Sequence, residues 1–366
     1  MSLDARARRA AQAARAHADR LPPPPAIGVL VARRRRRIAA VSALALALIV
    51  AVGSVAWRAL LPSSGRQPAA IQSVPIRSPG PSPQVQAAIG VGKTPTAVLV
   101  ANGSVWVANS GDGTVSRIDA ATNRVIATIG VGRDPSQLTA DSSAIWVATA
   151  EGLQRINPAE NLVIQTLPRV EFGDVLAIDG DLWVSLNDGT VRRLNPVDGR
   201  VLASISVASR GVSVLATDGS RLWAANGDTL VAIDSQRATV TARFTDKKRV
   251  LLRGSRGAQL TGLALQPGWA WESSSDGRVF RFGVDLSRHT MRGQVVSPLE
   301  GPGLLAAGPA GVFVAIPSIK TVSRLASSTG QVIASIDLPG LCQVAVGADA
   351  VWATAENQGI LYRIHL

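Results

Sequence analysis

Residues 95–132, PTAVLVANGSVWVANSGDGTVSRIDAATNRVIATIGVG, form one complete copy of a unit that recurs along the chain. The unit contains four short runs rich in Val, Ile, Thr and Ala, separated by turns rich in Gly, Asn and Asp. Runs of this length and composition predict β-strands, and the short turns between them predict antiparallel hairpins. One unit is therefore expected to fold as a four-stranded antiparallel sheet.

An aromatic residue inside a short apolar run marks each of seven such units. These markers are Trp106, Trp146, Trp183, Trp223, Trp271, Phe313 and Trp352. Their successive spacings are 40, 37, 40, 48, 42 and 39 residues. A period of about 40 residues with four strands per repeat is typical of β-propellers. The sequence predicts an all-β, seven-bladed β-propeller of four-stranded antiparallel blades over residues 84–366.

Two columns of residues support this register. The residues ten positions before the markers are all small, as expected for inner strands that crowd around a propeller axis. They are Thr96, Ser136, Gly173, Ser213, Thr261, Gly303 and Cys342. The residues eight positions before the markers are all aliphatic, as expected for side chains packed between blades. They are Val98, Leu138, Val175, Leu215, Leu263, Leu305 and Val344.

The seventh unit contains only three strand-like runs. Residues 84–91 (QVQAAIGV) match the fourth-strand run of the first unit, residues 124–131 (RVIATIGV). We expect this segment to supply the missing strand and close the ring, because closure removes exposed sheet edges.

The net charge of +13 lies mainly before the repeats. Residues 1–37 contain ten Arg and two Asp, residues 38–83 contain three Arg and no acidic residue, and the remaining 283 residues carry only +2. The predicted propeller is therefore nearly neutral, and the overall basicity does not indicate nucleic-acid binding.

Residues 38–57 (IAAVSALALALIVAVGSVAW) are 20 uncharged residues preceded by five consecutive arginines, residues 33–37. This length predicts a membrane-spanning helix, and the positive-inside rule predicts a cytoplasmic N-terminus. We assign residues 1–37 to a cytoplasmic tail, 38–61 to a transmembrane signal anchor and 62–83 to a Pro-rich linker. The expected location is the plasma membrane, with the propeller outside. A cleaved signal peptide is the alternative, although its apolar run would be shorter.

The repeats resemble the YVTN-type and streptogramin-lyase-like (virginiamycin B lyase-like) β-propeller families. Residues 95–132 carry the resemblance most clearly, and the turns at residues 195–201 (NPVDGRV) and 328–332 (STGQV) repeat part of it. The resemblance covers residues 84–366 and implies the propeller fold. It also implies elimination chemistry that uses histidine and glutamate with a divalent cation.

Histidines are sparse in the predicted ring. His289 and His365 belong to different repeats, and neither lies in a motif with glutamate. A general base must reach the proton that it removes, and this spacing favours two surface histidines. A carbon–oxygen lyase with its active site in the propeller funnel remains the alternative function.

Other residues with chemical potential fit structural roles. Cys342 is the single cysteine, so the chain cannot form an internal disulfide. It belongs to the column of small residues, which favours a packed thiol. The turns at residues 109–113, 187–189 and 226–228 contain Asn, Asp and Gly but lack the spacing of a calcium loop, so they predict hairpin turns. No pattern predicts a metal site, a cofactor or nucleic-acid binding, and nothing in the sequence specifies an oligomeric state.

Arginine recurs in the third strand-like run of the units. Six units carry it and the fourth has Ala232 instead: Arg117, Arg155, Arg193, Arg281, Arg324 and Arg363. We expect the stems of these arginines to cover the faces of the blades.

The connections between successive units carry further cations, on the face where propellers usually bind ligands. They are Lys93, Arg133, Arg169, Arg210 and Arg256. A partly cationic rim would attract an anionic glycan or an acidic patch of an envelope protein.

The longest interval holds an insertion, residues 246–257 (DKKRVLLRGSRG), followed by Trp269, which has no counterpart in the other units. Trp269 is predicted either to stack on a ligand or to pack in the core. The sequence thus favours a membrane-anchored, non-enzymatic binding, sensing or interaction module of the bacterial cell envelope.

Overall fold

A computed structural model describes residues 83–168, 173–209, 211, 214–227, 229–245, 259–288, 290–298 and 301–365. These residues belong to the unit Ser78–Leu366. The predicted tail, membrane span and most of the linker lie outside the described residues. Among the residues that are described, no helix is long and apolar enough to cross a membrane.

The described residues form seven four-stranded antiparallel sheets, which are the blades. Blade 1 contains β2 (Pro95–Ala101), β3 (Ser104–Asn109), β4 (Thr114–Asp119) and β5 (Arg124–Gly130). Blade 2 contains β6 (Gln137–Ala140), β7 (Ile145–Thr149), β8 (Gly152–Asn157) and β9 (Leu162–Pro168). Blade 3 contains β10 (Val175–Ile178), β11 (Asp181–Ser185), β12 (Thr190–Leu194) and β13 (Val201–Ser206).

The remaining blades follow the same order. Blade 4 contains β14 (Val214–Thr217), β15 (Leu222–Asn226), β16 (Thr229–Asp234) and β17 (Thr239–Thr245). Blade 5 contains β18 (Leu260–Gln266), β19 (Trp269–Ser274), β20 (Arg278–Asp285) and β21 (Thr290–Pro298). Blade 6 contains β22 (Leu304–Gly308), β23 (Gly311–Ile316), β24 (Thr321–Leu325) and β25 (Val332–Asp337). Short 3-10 helices at Pro317–Ile319 and Glu356–Gln358 lie between the second and third strands of blades 6 and 7.

Blade 7 joins the two ends of the propeller. It contains β26 (Leu341–Val346), β27 (Val351–Ala355) and β28 (Ile360–His365), and its outer strand is β1 (Gln84–Gly90). β1 pairs antiparallel with β28, from Gln84 opposite His365 to Gly90 opposite Ile360. The predicted closure is therefore confirmed, as is the prediction of seven four-stranded antiparallel blades.

The hydrophobic core is divided among the junctions between blades. Each of seven buried clusters contains residues from two neighbouring blades. The marker aromatic of one blade packs toward the next blade in chain order, as Trp106 does against Ile145 and Val147. The aliphatic column packs in these same junctions, as predicted; Val98 and Leu215 are two of its buried members.

The alternation of strands gives the propeller two faces with different connections. The rim face carries the connections between blades and the turns between second and third strands. The turn face carries the turns between first and second strands and between third and fourth strands. Backbone contact is close on the rim face: Gly113 has φ +68°, and a Cβ there would lie 2.7 Å from the carbonyl oxygen of Gly132.

Candidate functional site

The first strands of the blades surround an axial cavity of about 480 Å³. Most of its lining is aliphatic, and its polar side chains come from Ser136, Gln137, Thr139, Asp174, Thr261 and Gln343. A cavity of this size and composition can accept a small ligand.

Polar side chains near this cavity form hydrogen bonds from one blade to the next. Thr96 Oγ1 donates to the Pro135 carbonyl at 3.0 Å, and Gln137 Nε2 donates to the Gly173 carbonyl at 2.9 Å. Thr261 Oγ1 donates to the Gly303 carbonyl at 2.7 Å. The column of small residues therefore does more than avoid crowding, because two of its members, Thr96 and Thr261, hydrogen-bond to the neighbouring blade.

Among the described residues that line the axial cavity, Asp174 carries the carboxylate. Its Oδ1 accepts a hydrogen bond from the Val175 N–H at 2.9 Å, and its Oδ2 accepts one from the Leu215 N–H of blade 4 at 2.8 Å. Burial raises the pKa of Asp174 to about 6, and these hydrogen bonds oppose the rise. Sequence analysis missed this residue. A signal was available in the sequence, because the residues nine positions before the marker aromatics are uncharged in the other six units.

The rim face holds the two predicted cationic residues that the structure describes. Lys93 is exposed, and its backbone N–H donates to Asp112 Oδ2 at 3.0 Å. The Arg133 side chain is 80% exposed and its Nε lies 3.1 Å from Glu151 Oε1. The hydrogen bond from Arg133 lowers the pKa of Glu151. Arg133 therefore shares the rim with a carboxylate that offsets its charge.

Of the other predicted binding residues, the structure describes Trp269. Arg169, Arg210 and Arg256 lie outside the described residues, as does the insertion at residues 246–257. Trp269 begins β19 beside the turn between the first two strands of blade 5, so it lies on the turn face. Its ring is half-buried, with the Arg281 guanidinium 4.1 Å from the ring centroid. Core packing thus accounts for one side of this ring.

Four of the six recurring arginines join blades at the turn face, whereas Arg155 and Arg324 donate within their own blades, to Ser143 Oγ and to the Ala310 carbonyl. Arg117 lies opposite Trp106 in the blade 1 sheet, with its guanidinium 5.0 Å from the indole centroid. It donates through Nη1 to the Pro158 carbonyl and to Asn161 Oδ1 in the turn of blade 2 between the third and fourth strands. The expected covering of the blade face occurs, and the guanidinium adds a link to the next blade.

Three more junctions contain the same link. Arg193 donates to the Gln236 carbonyl at 2.7 Å, and Arg281 donates to the Ser327 carbonyl at 2.5 Å. Arg363 donates to the Ala120 carbonyl at 2.8 Å, which joins blade 7 to blade 1. We call Arg117, Arg193, Arg281 and Arg363 the arginine links.

The residues considered for catalysis or metal binding are separated from the axial cavity or have structural partners. His365 is exposed at the end of β28, opposite Gln84, and does not line the cavity. His289 lies outside the described residues. Burial first, and then the nearby charge of Glu356, raises the pKa of the Cys342 thiol to about 11. Within the described ranges, no group of three His, Cys, Asp or Glu residues could hold a metal ion.

Two of the predicted turns, at residues 109–113 and 187–189, are hairpin turns, and Asp228 of the third lies outside the described residues. Asp188 Oδ1 accepts a hydrogen bond from the Thr190 N–H at 2.9 Å, and Thr114 Oγ1 donates to Asp112 Oδ1 at 2.8 Å. These short-range bonds engage one oxygen of each carboxylate within its own turn, and Asp112 Oδ2 also accepts the Lys93 N–H.

Closed rings of this kind define the chain as a seven-bladed β-propeller protein, and solved structures support that fold. Hydrazine synthase of Kuenenia stuttgartiensis matches with a TM-score of 0.61 and 12% identity, over 75% of this chain and 96% of that one. The β-propeller domain of Myceliophteria thermophila Cps50 (Swd1) matches with a TM-score of 0.60 and 13% identity, over 78% and 99%. The WD40 β-propeller domain of Doa1 matches with a TM-score of 0.58 and 15% identity, over 78% and 97%.

No protein-family model matches the chain, and no curated protein matches it. At these low identities the structural likeness establishes the fold alone, because propellers serve many unrelated functions.

Proposed function

We propose that this protein is a non-enzymatic binding or interaction module of a bacterial cell envelope. Residues 38–61 anchor it in the plasma membrane, and the propeller lies outside. Two features of the closed ring support the binding role. Axial polar groups join neighbouring blades, and Lys93 and Arg133 are exposed on the rim. A rigid scaffold that presents charged loops on one face is suited to recognition.

The ligand class of this proposal is anionic: a phosphate-containing glycan or an acidic protein patch. The YVTN-type and virginiamycin B lyase-like resemblance supports the repeat architecture. We do not propose elimination chemistry. One of its two candidate bases, His365, lies on the third strand of blade 7, whereas the axial cavity is surrounded by first strands.

Topology is tested with alkaline phosphatase fused after residue 366 or after residue 30. We expect activity only from the first fusion, because the enzyme matures outside the cytoplasm. Substituting glutamate for the five arginines at residues 33–37 should reduce that activity, since these charges set the orientation. Active phosphatase at residue 30, or equal activity with and without the arginines, would contradict the predicted topology.

Binding is tested with the full-length protein in lipid nanodiscs and a poly(glycerol phosphate) chain, with dextran as the uncharged polymer. We expect salt-sensitive binding of the phosphate polymer alone. The double variant Lys93→Glu/Arg133→Glu should bind roughly ten-fold more weakly because it reverses both rim charges.

The matched control is Arg124→Glu/Arg200→Glu, which makes the same charge change at exposed positions of the turn face. Equal losses of affinity in the two double variants would mean that the net charge of the protein, rather than the rim residues, determines binding. Equal binding of dextran and the phosphate polymer would contradict anionic recognition.

A further inference from the structure

The residues nine positions before the marker aromatics form a ring around the axis of the propeller. Each blade supplies one of them, and all seven line the axial cavity. They are Ala97, Gln137, Asp174, Val214, Gly262, Leu304 and Gln343. We call these residues the axial ring. Its polar members come from blades 2, 3 and 7, and its other four positions carry no polar side chain.

Asp174 supplies the charge of the axial ring, and its hydrogen bonds leave that charge without a cationic partner. Its oxygens accept the N–H groups of Val175 at 2.9 Å and Leu215 at 2.8 Å, and both donors are neutral backbone groups. A carboxylate has about four acceptor positions, so each oxygen can accept a further hydrogen bond. No described residue that lines the cavity carries a positive charge.

Gln137 presents a second acceptor on the neighbouring blade. Its Nε2 donates at 2.9 Å to the carbonyl of Gly173, the residue that precedes Asp174. Because that carbonyl can only accept, the orientation of the amide is fixed. Gln137 Oε1 is buried and has no hydrogen-bond partner among the described residues. Buried acceptors are normally paired, so this atom favours a ligand that brings an N–H group.

The other polar side chains of the cavity already have partners. Gln343 Oε1 accepts the Val344 N–H at 3.2 Å, and Thr139 Oγ1 accepts the Ala177 N–H at 2.8 Å. Thr261 Oγ1 donates to the Gly303 carbonyl at 2.7 Å. The open acceptors are therefore those of Asp174 and Gln137, on adjacent blades.

Most of the remaining wall is aliphatic. It includes Leu99, Leu138, Leu176, Leu263 and Leu305. Such walls lower the local dielectric constant, which strengthens the attraction between a carboxylate and a bound cation. They also provide apolar surface for the body of a small ligand, and a cavity of about 480 Å³ is large enough to enclose one.

We propose that the axial cavity binds a small organic cation: a primary ammonium group on a short apolar body. The ammonium would donate to an Asp174 oxygen and to Gln137 Oε1, and the body would lie against the aliphatic wall. This site goes beyond the proposed function, because it takes a ligand of the opposite charge at a different place from the rim.

The number of acceptors favours ammonium over other cations. Ca²⁺ takes about six to eight oxygen ligands, and a guanidinium has five N–H donors to satisfy. A primary ammonium has three donors on one atom, which suits two neighbouring acceptors. Within the described ranges, no group of three His, Cys, Asp or Glu residues could hold a metal ion.

The test uses the full-length protein in nonionic detergent with about 0.15 M NaCl, which screens distant charges. At pH 7.5 Asp174, whose pKa is about 6, is ionised. The probe is 4-fluorobenzylammonium, observed by fluorine NMR, and we expect saturable broadening of its resonance. The uncharged 4-fluorobenzyl alcohol has nearly the same shape and should bind at least roughly ten-fold more weakly. Excess n-butylammonium chloride should displace the probe, whereas KCl at the same concentration should not.

Asp174→Asn removes the counter-ion and should weaken binding of the ammonium probe roughly ten-fold. Asp198→Asn is the matched control, because it removes the same charge at an exposed position of the turn face and should leave binding unchanged. Ala97→Leu enlarges an apolar member of the axial ring and keeps both acceptors. By filling part of the cavity it should weaken binding at least roughly five-fold, and it provides a test if Asp174→Asn does not fold.

Three results would overturn the proposal: equal binding of the ammonium and the alcohol, unchanged affinity in folded Asp174→Asn, or displacement of the probe by KCl as effective as that by n-butylammonium. The rim variant Lys93→Glu/Arg133→Glu should leave binding of the ammonium probe unchanged. Asp174→Asn should likewise leave binding of the phosphate polymer unchanged. Failure of the axial proposal and failure of the rim proposal are therefore separate observations.

Discussion

Arg117→Ala is expected to weaken the junction between blades 1 and 2. The side chain is half-buried, covers Trp106 at 5.0 Å and donates to Asn161 Oδ1 at 2.9 Å, as well as to the Pro158 carbonyl. Its Nε also donates to Ser104 Oγ at 3.0 Å. Alanine removes all of these contacts and leaves the turn of blade 2 without its link to blade 1.

The size of the loss follows from these contacts. Each hydrogen bond from a charged group contributes about 1.5–3 kcal/mol, and a cation over an indole contributes about 1 kcal/mol. Desolvation of the guanidinium and access of water to the freed turn offset part of this sum. We therefore expect Arg117→Ala to lower the free energy of unfolding by about 3 kcal/mol. Arg117→Lys should lose about half as much, because it keeps the charge but not the planar fork.

The assay is equilibrium urea unfolding of the full-length protein in nonionic detergent, followed by tryptophan fluorescence. Arg133→Ala is the control because it also removes an arginine, but one that is 80% exposed and pairs with Glu151 on the rim. Exposed pairs contribute about 0–1 kcal/mol. If Arg117→Ala cost no more than Arg133→Ala at an unchanged m-value, the arginine links would not stabilise the ring.

Three further predictions concern closure, the axial carboxylate and the cysteine. Ile89→Ala should cost about 2–4 kcal/mol in the same unfolding assay, because Ile89 is 7% exposed in the closing strand; a loss below about 1 kcal/mol would contradict a packed β1. The pKa of Asp174 is about 6 in the folded protein against an ordinary value of 3.8, so the folded state holds the proton more tightly and its contribution to stability falls as pH rises through that window. The wild-type free energy of unfolding should therefore drop by about 3 kcal/mol relative to Asp174→Asn between pH 3.5 and pH 7, and a pH-independent difference would show that Asp174 is not the titrating group. Cys342, with a pKa of about 11, should react with iodoacetamide at pH 8 about a hundred-fold more slowly than in the urea-unfolded chain; comparable rates would mean that its thiol is not shielded.

The architecture was predictable because every blade of a propeller requires the same pattern of residues, so that pattern repeats along the sequence. Trp106 and Trp146 each need a neighbouring blade to cover them, so the aromatic recurs with every blade. The match between residues 84–91 and 124–131 predicted the pairing of β1 with β28, because a fourth strand has the same half-exposed pattern wherever it lies in sequence.

The site was only partly predictable. Lys93 and Arg133 lie on the rim, as their place in the connections indicated. Trp269 lies on the opposite face, since it begins a second strand and the connections end at first strands. Its position in the sequence did not indicate which face it occupies.

The sequence by itself determined the number of blades, the strands within each blade and the closure, because these depend on a local pattern repeated seven times. Tertiary structure decided which groups meet across the blades. It placed Asp174 against the Leu215 N–H and showed that four of the six recurring arginines reach the next blade. The break at Ala232 was visible in the sequence as one missing arginine. The covering of Trp223 in that blade depends on Phe244, and only the packed structure shows that these two rings stack.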